Sequence, residues 1–180
     1  YCLKKNYSKT FEYISKAYSL AKNINDEKYL SDVYLILGIN FDNLNNSKKA
    51  FDYLNTALLM KEKLEETYYT GILNYRIAKH YLKINKLDLA EEYNRKALLI
   101  FRKKYIRPYY TNTLLLNAEI LLQRQNINQA LFLYKSIMKK NSINSCYYKI
   151  CIEKINQIND TLRTYNSVLT LFLKSNDLNL

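Results

Sequence analysis

Few residues of this sequence have the types and spacing that covalent chemistry requires. It contains three cysteines, Cys2, Cys146 and Cys151, and a single histidine, His80. A cysteine nucleophile needs a neighbouring base, and a zinc site needs several thiols or imidazoles at short spacings. No two cysteines have the CxxC spacing, and no recognisable motif joins a cysteine to His80. We therefore expect reduced thiols, no metal site and no cofactor, and we expect that the protein is not an enzyme.

The basic residues are the second group that could bind a partner. Lys and Arg number 28 against 16 Asp and Glu, which gives a formal net charge of +12 and is often typical of a nucleic-acid or anionic-membrane surface. However, 22 of the 28 are Lys, and the chain is also rich in Asn, Ile and Tyr, whose codons are rich in A and T. A biased genome explains part of the charge equally well. A solvated lysine surface is favoured, and nucleic acid stays open as a less favoured partner.

The elements that would position any binding residues are predicted to be helices. Only 2 Gly and 1 Pro interrupt a chain of 180 residues that is 48% hydrophobic, whereas an all-β chain would need many more turn residues. No apolar run approaches the roughly 20 residues that cross a bilayer, and no signal peptide is visible at the start. We therefore predict an all-α, cytoplasmic protein that has no membrane partner.

A repeat of 40 residues organises the chain. The segments NNSKKAFDYLNTALLM, NKLDLAEEYNRKALLI and QNINQALFLYKSIMKK align at this spacing without a gap. Small residues recur in three columns: Gly38, Ala78 and Ala118; Ala50, Ala90 and Ala130; Ala57 and Ala97. Glycine costs a helix about 1 kcal/mol relative to alanine, so a close contact between two antiparallel helices is the expected reason for Gly38.

The apolar periodicity and the polar breaks predict the helices themselves. They are expected near residues 1–5, 7–23, 27–45, 47–64, 67–85, 88–104, 109–125, 128–140, 144–164 and 167–174.

The repeat resembles a known family. With Ser31, Gly71 and Thr111 as the first residues of units, the small residues stand at positions 8, 20 and 27, and one unit carries the pair Leu37-Gly38. This pattern resembles the tetratricopeptide repeat (TPR) family, with units longer than usual. The resemblance implies a right-handed α-α superhelical solenoid of about four helix-turn-helix units that starts inside a unit, in one domain. The expected units span residues 1–30 (partial), 31–70, 71–110, 111–150 and 151–180 (an atypical cap), and the partial unit indicates a fragment of a longer chain.

The resemblance also implies a binding site. In TPR arrays, positions 2, 6, 9 and 13 of each first helix line a concave groove that binds peptides or protein segments. Asp32 and Ile36 stand at such positions, and so do the residues that we select as ligand-binding: Asn43, Arg76, Lys79, Lys83, Asn112, Glu119, Gln123 and Asn156. Amides can hold the backbone of an extended peptide, and cations attract acidic groups.

The leading hypothesis is a non-enzymatic TPR module that binds a peptide or protein segment, as the sensing or assembly part of a regulatory protein. The long units and the low-GC composition are also similar to the Rap/PlcR-type peptide-sensing regulators, which implies an upstream DNA-binding or effector domain in the full-length chain. The alternative is a nucleic-acid-binding helical repeat whose basic surface includes Arg102, Lys103, Lys104 and Arg107. The identity of the partner and a homo-oligomeric state stay open.

Overall fold

The chain folds into helices joined by short turns. The computed structural model describes residues 7–104 and 106–177, with side chains for residues 9–104 and 106–167, and every regular element in this part of the chain is an α-helix. The predicted all-α class is therefore confirmed. The helices of the described residues are α1 (Tyr7–Asn23), α2 (Glu27–Asn43), α3 (Ser47–Lys63), α4 (Thr67–Lys83), α5 (Leu87–Lys103), α6 (Arg107–Gln123), α7 (Ile127–Lys140) and α8 (Cys146–Asp177).

The helices follow one another at a fixed spacing. Each of α1 to α6 has 17 residues, and three residues separate each helix from the next as far as α7. Helices α1 to α7 consequently begin every 20 residues, from Tyr7 to Ile127. The 40-residue repeat of the sequence is thus two helix-plus-turn segments of equal length.

The predicted helix bounds agree with the structure to within a few residues as far as Lys140, and the prediction is wrong after that point. The two helices predicted near 144–164 and 167–174 are the single helix α8. The gap between them, residues 165 and 166, contains neither glycine nor proline, so nothing there interrupts the helical hydrogen bonds. The helix predicted near residues 1–5 lies outside the described residues.

Each three-residue turn both ends one helix and begins the next. After α2, the amide of Asn45 donates to the carbonyl O of Asp42 at 3.0 Å, and the amide of Asn46 donates to that of Phe41 at 2.9 Å. Asn45 has a φ of 59°, the left-handed conformation that closes a helix in the Schellman motif. The side chain of Asn46 then accepts a hydrogen bond from the amide of Lys49 at 3.2 Å and caps α3.

The left-handed position recurs in the turns. The non-glycine residues that adopt a positive φ in the described chain are Asn25, Asn45, Glu65, Asn85 and Gln125, with values from 51° to 60°. Asparagine tolerates this conformation better than other side chains, whereas a longer side chain such as that of Glu65 is strained there. These turns therefore require a left-handed residue, but at some of them, such as Glu65, the sequence has a residue that does not favour this conformation.

The chain contains two compact units, which divide between Thr113 and Leu114. In the first unit, α2 packs closely on α3 and α4 on α5, while α3 packs less extensively on α4, and α1 on α2. Helices α2 and α4 also contact each other directly. In the second unit, α7 packs against α8.

Each unit has its own apolar core. The core of the first unit contains Leu35, Leu54, Ala57, Leu58, Ile72, Leu73, Ile77, Ala97 and Phe101. The core of the second contains Ala118, Ala130, Tyr134, Ile137 and Cys151.

The small residues lie at close helix contacts, as the sequence predicts. A Cβ atom added to Gly38 would stand 2.6 Å from Cγ of Leu54 and 3.2 Å from its backbone N. The alanines of the three repeating columns are all fully buried. A methyl group at position 38 therefore has no room unless α2 and α3 move apart.

We expect Gly38→Ala to lower the free energy of unfolding by about 1–3 kcal/mol, because overpacking against Leu54 outweighs the gain in helix propensity. Urea denaturation followed by circular dichroism measures the change. In a Leu54→Ala background the clash with the leucine side chain is gone, so Gly38→Ala should become neutral or stabilising. Equal effects in the two backgrounds would contradict the contact.

We expect Glu65→Gly to raise the free energy of unfolding by about 0.5–1 kcal/mol, because glycine adopts the left-handed conformation without strain. Glu62→Gly, three residues earlier inside α3, is the matched control and should lower the stability by about 1 kcal/mol. The same denaturation assay measures both. A loss in both variants would mean that the φ of Glu65 stores no strain.

Candidate functional site

The selected groove residues divide between the two units. Five belong to the first unit: Asn43, Arg76, Lys79, Lys83 and Asn112. Three belong to the second: Glu119, Gln123 and Asn156. Arg76, Asn112 and Glu119 are half-buried, and the other five are exposed. In the first unit, Asn43 and the three cations lie on α2 and α4, the two helices that contact each other.

A stripe of cations runs along α4 beside the end of α2. Arg76, Lys79 and Lys83 are spaced three and four residues apart, which places them on one face of the helix. Lys83 donates from Nζ to Oδ1 of Asn45, in the turn after α2, at 2.8 Å, so this face lies next to the C-terminal end of α2. Asn43 is exposed in the last turn of α2. These four residues, Asn43, Arg76, Lys79 and Lys83, are called the α2–α4 surface below.

The cations of the α2–α4 surface are not paired with a carboxylate among the described residues. None of the three forms an ion pair within the described part of the chain. The Nε atom of Arg76 is buried and has no hydrogen-bond partner among the described residues. A guanidinium presents its donors in a planar fork that fits a carboxylate. The exposed Lys79 and Lys83 can therefore accept an anionic group from outside the chain. Arg76 can take part only through the ends of its guanidinium, because its Nε atom is buried.

His80 lies on the same helix but is part of the core. Its side chain is 6% exposed, and its ring stacks on Phe51 with the centroids 5.3 Å apart. Burial lowers the pKa of His80. The negative charge of Asp42 raises this pKa by a smaller amount, and the positive charge of Lys83 lowers it further. The imidazole is consequently neutral at pH 7 and adds no positive charge to the α2–α4 surface.

The described cysteines lie in the second unit. Cys151 is fully buried, and burial raises the pKa of its thiol to about 11, so the thiolate is scarce at neutral pH. Cys146 is exposed and free, and Cys2 lies outside the described residues. In residues 7–104 and 106–177, no group of three or more His, Cys, Asp or Glu side chains is placed to hold a metal ion.

An open pocket of about 420 Å³ lies between α1, α2 and α3. Its lining consists of Phe11, Ile14, Ser15, Tyr18, Tyr34, Leu37 and Tyr53. The ring of Tyr34 stands 6.1 Å from that of Tyr18 and 6.0 Å from that of Tyr53, measured between centroids. Burial, together with a hydrogen bond to Tyr18, raises the pKa of Tyr34. The pocket therefore suits an apolar side chain better than a charged group.

A buried ion network joins α2, α3 and α4, and sequence reasoning missed it. Lys61 is fully buried, with Nζ 2.6 Å from Oδ1 of Asp32 and 2.5 Å from Oε2 of Glu66. The same atom lies 4.4 Å from the centroid of the Tyr69 ring, and Lys28 approaches Glu66 at 3.3 Å. Burial alone would lower the pKa of Lys61, but the two carboxylates raise it further than burial lowers it. Asp32 stands at a predicted groove position, but in the structure its carboxylate is paired with Lys61.

Forty residues later, the same positions form an apolar cluster. The matching pairs are Asp32 and Ile72, Lys61 and Phe101, Glu66 and Ile106, and Tyr69 and Tyr109. The second members belong to the apolar core of the first unit or pack against it, and Phe101 stacks on Tyr109 with the centroids 5.0 Å apart. The sequence therefore did contain a sign of the ion network: three of its positions are charged in one repeat and apolar in the next.

The comparisons with known proteins give the chain no family. No family model matches the sequence. No curated protein matches it either. Within the described ranges, no helix combines the length and the apolar character that a membrane crossing requires.

We expect Lys61→Ala to lower the free energy of unfolding by roughly 3–5 kcal/mol, because Asp32 and Glu66 lose the cation that compensates them. The triple variant Asp32→Ile, Lys61→Phe, Glu66→Ile copies the apolar cluster and should recover most of this loss. Urea denaturation at pH 7 measures both. If the triple variant is no more stable than Lys61→Ala, the two clusters are not equivalent.

The pH dependence of stability gives a second readout of the network. The hydrogen bond from Lys61 lowers the pKa of Glu66 below its ordinary value of 4.5. Stabilisation by Glu66 is therefore present above pH 4.5 and is lost as the pH falls through the folded pKa. We expect the parent to lose stability relative to the triple variant in that acidic range, measured as the difference between their unfolding midpoints. A constant difference down to about pH 2 would contradict the linkage.

Proposed function

We propose that the protein is a non-enzymatic module of helical repeats that binds an acidic peptide or protein segment on the α2–α4 surface. The observation that carries the proposal is the stripe of Arg76, Lys79 and Lys83, which has no carboxylate partner in the described chain. In this proposal the helix pairs form the right-handed superhelix that the resemblance to the TPR family implies. The module then serves as the sensing or assembly part of a regulatory protein.

The chemistry of the surface suits an extended segment with acidic side chains. Arg76 and Lys79 supply charge-assisted hydrogen bonds to carboxylates, which are stronger than neutral ones. Asn43 has both an amide donor and an amide acceptor for a peptide backbone. Ile36, seven residues before Asn43 and hence on the same face of α2, is 46% exposed and offers an apolar contact.

Nucleic-acid binding is the second candidate, favoured by a separate basic cluster. Arg102, Lys103, Lys104 and Arg107 are all exposed at the end of α5 and the start of α6. Cations in such a cluster neutralise phosphates and release the counterions bound to them, so the binding falls steeply with salt.

We expect an array of ten-residue peptides to show preferential binding of acidic over neutral and basic sequences. Arg76→Ala with Lys79→Ala should weaken the best acidic peptide at least tenfold, since each charge-assisted hydrogen bond contributes about 1.5–3 kcal/mol. Arg102→Ala with Lys103→Ala is the matched control, because it also removes one Arg and one Lys, and it should change the affinity less than threefold. Fluorescence anisotropy of the labelled peptide gives both dissociation constants.

The same two variants test the nucleic-acid candidate with a single-stranded RNA as the probe. Equal losses of peptide affinity in the two variants would contradict a defined site on α2 and α4. Tight RNA binding at about 150 mM salt that disappears only in the Arg102 and Lys103 variant would replace the peptide proposal with the second candidate.

A further inference from the structure

The last helix carries a regular stripe of apolar residues. They are separated by alternating steps of four and three positions: Cys151, Ile155, Ile158, Leu162, Tyr165, Leu169 and Phe172. This heptad spacing lines up on one side of a helix and is typical of a coiled-coil seam. Helix α8 has 32 residues, which corresponds to a length of about 48 Å. The stripe therefore follows most of a long, continuous helix.

The first half of the stripe is covered inside the second unit. Cys151 is fully buried in the cluster that contains Tyr134 and Ile137 of α7, and Ile155 and Ile158 pack against it. Helix α7 has 14 residues, or about 21 Å, less than half the length of α8. It is too short to cover the second half of the stripe as well.

The next two residues of the stripe, Leu162 and Tyr165, are exposed among the described side chains. Leu162 is 36% exposed and Tyr165 is 66% exposed, and all the residues from 159 to 167 are exposed. The heptad continues in the sequence at Leu169 and Phe172, which also belong to α8. We propose that the second half of α8 pairs with the α8 of a second copy of the chain in a two-fold symmetric coiled coil.

The charge pattern of α8 favours a second copy over a strongly charged partner. With Ile155 as heptad position a, all the charged residues from position 159 onward fall at b or f, which face away from a coiled-coil partner: Asp160, Arg163, Lys174 and Asp177. The flanking e and g positions are uncharged: Asn159, Thr161, Asn166, Val168, Leu173 and Ser175. A chain with a net charge of +12 would repel its own copy if lysines lined the contact, and none does here. A strongly charged partner would meet no opposite charge at the positions that flank the seam.

The pairing segment is already helical in the single chain. The first half of the stripe is fixed against α7, and the helix continues without a break to Asp177. Helix formation has a costly nucleation step, which is already complete in the single chain. Association therefore costs little additional ordering of the backbone, and the seam is a direct continuation of an interface that the second unit already contains.

Sedimentation equilibrium of the 180-residue chain tests the proposal. The chain has a mass of 21.5 kDa, and we expect a concentration-dependent dimer of twice that mass at about 1–100 µM. Leu162→Asp with Tyr165→Asp places two charges at a and d and should raise the dimer dissociation constant at least 100-fold. Thr164→Asp with Ser167→Asp adds the same charge at c and f of the same helix and should change it less than threefold.

A milder variant keeps the test independent of folding. Tyr165 is largely exposed in the single chain, so Tyr165→Ala should leave the helical circular dichroism unchanged while raising the dissociation constant about tenfold. A parent that stays monomeric at about 100 µM would overturn the proposal and indicate that another segment or protein covers the stripe. Equal effects of the seam variant and its control would also overturn it. Neither outcome bears on peptide binding at the α2–α4 surface.

Discussion

The three-residue turn is the constraint on which the first unit depends. It holds a left-handed residue between two helices of 17 residues, so that the second helix must run back along the first at once. Helices joined so tightly lie close together along much of their length, and the residues at the crossing must be small. Gly38 against Leu54 and the buried alanines of the repeat satisfy that requirement. The regular spacing then aligns α2 and α4 as neighbours, which creates the α2–α4 surface.

Two groups of cations in the first unit differ in whether neighbouring carboxylates neutralise their charge. Lys61 is buried between Asp32 and Glu66, and this ion network ties α2, α3 and the start of α4 together in the place of an apolar cluster. Arg76 and Lys79 on α4 have no such carboxylates within the described chain. Buried charges that lack compensation are costly, so the first arrangement serves the fold. The second arrangement is the one that the proposed binding of an acidic segment would use.

The sequence predicted the parts of the structure that repeat and missed the parts that do not. Small residues at a 40-residue spacing located the helix contacts, since periodicity reports on packing. The Lys61 network was missed because the charged residues were read one position at a time rather than against the apolar columns at Phe101 and Ile106. The length of α8 was missed because a break was predicted at residues 165 and 166, although this pair contains neither glycine nor proline and favours no break. Exposure and the missing carboxylates at Arg76 depend on tertiary contacts that no local pattern reveals.

Chemical-shift mapping can locate a bound peptide on the chain residue by residue. Backbone amides of the ¹⁵N-labelled chain would be followed during titration with the best acidic peptide at about 150 mM salt, where diffuse attraction to the basic surface is screened. If the peptide binds the α2–α4 surface, the largest shifts fall in the second half of α2 and the turn after it, from Ile36 to Asn45, and in α4 from Arg76 to Lys83. Shifts that centre on residues 102–107, or that spread evenly over all the lysines, would contradict such binding.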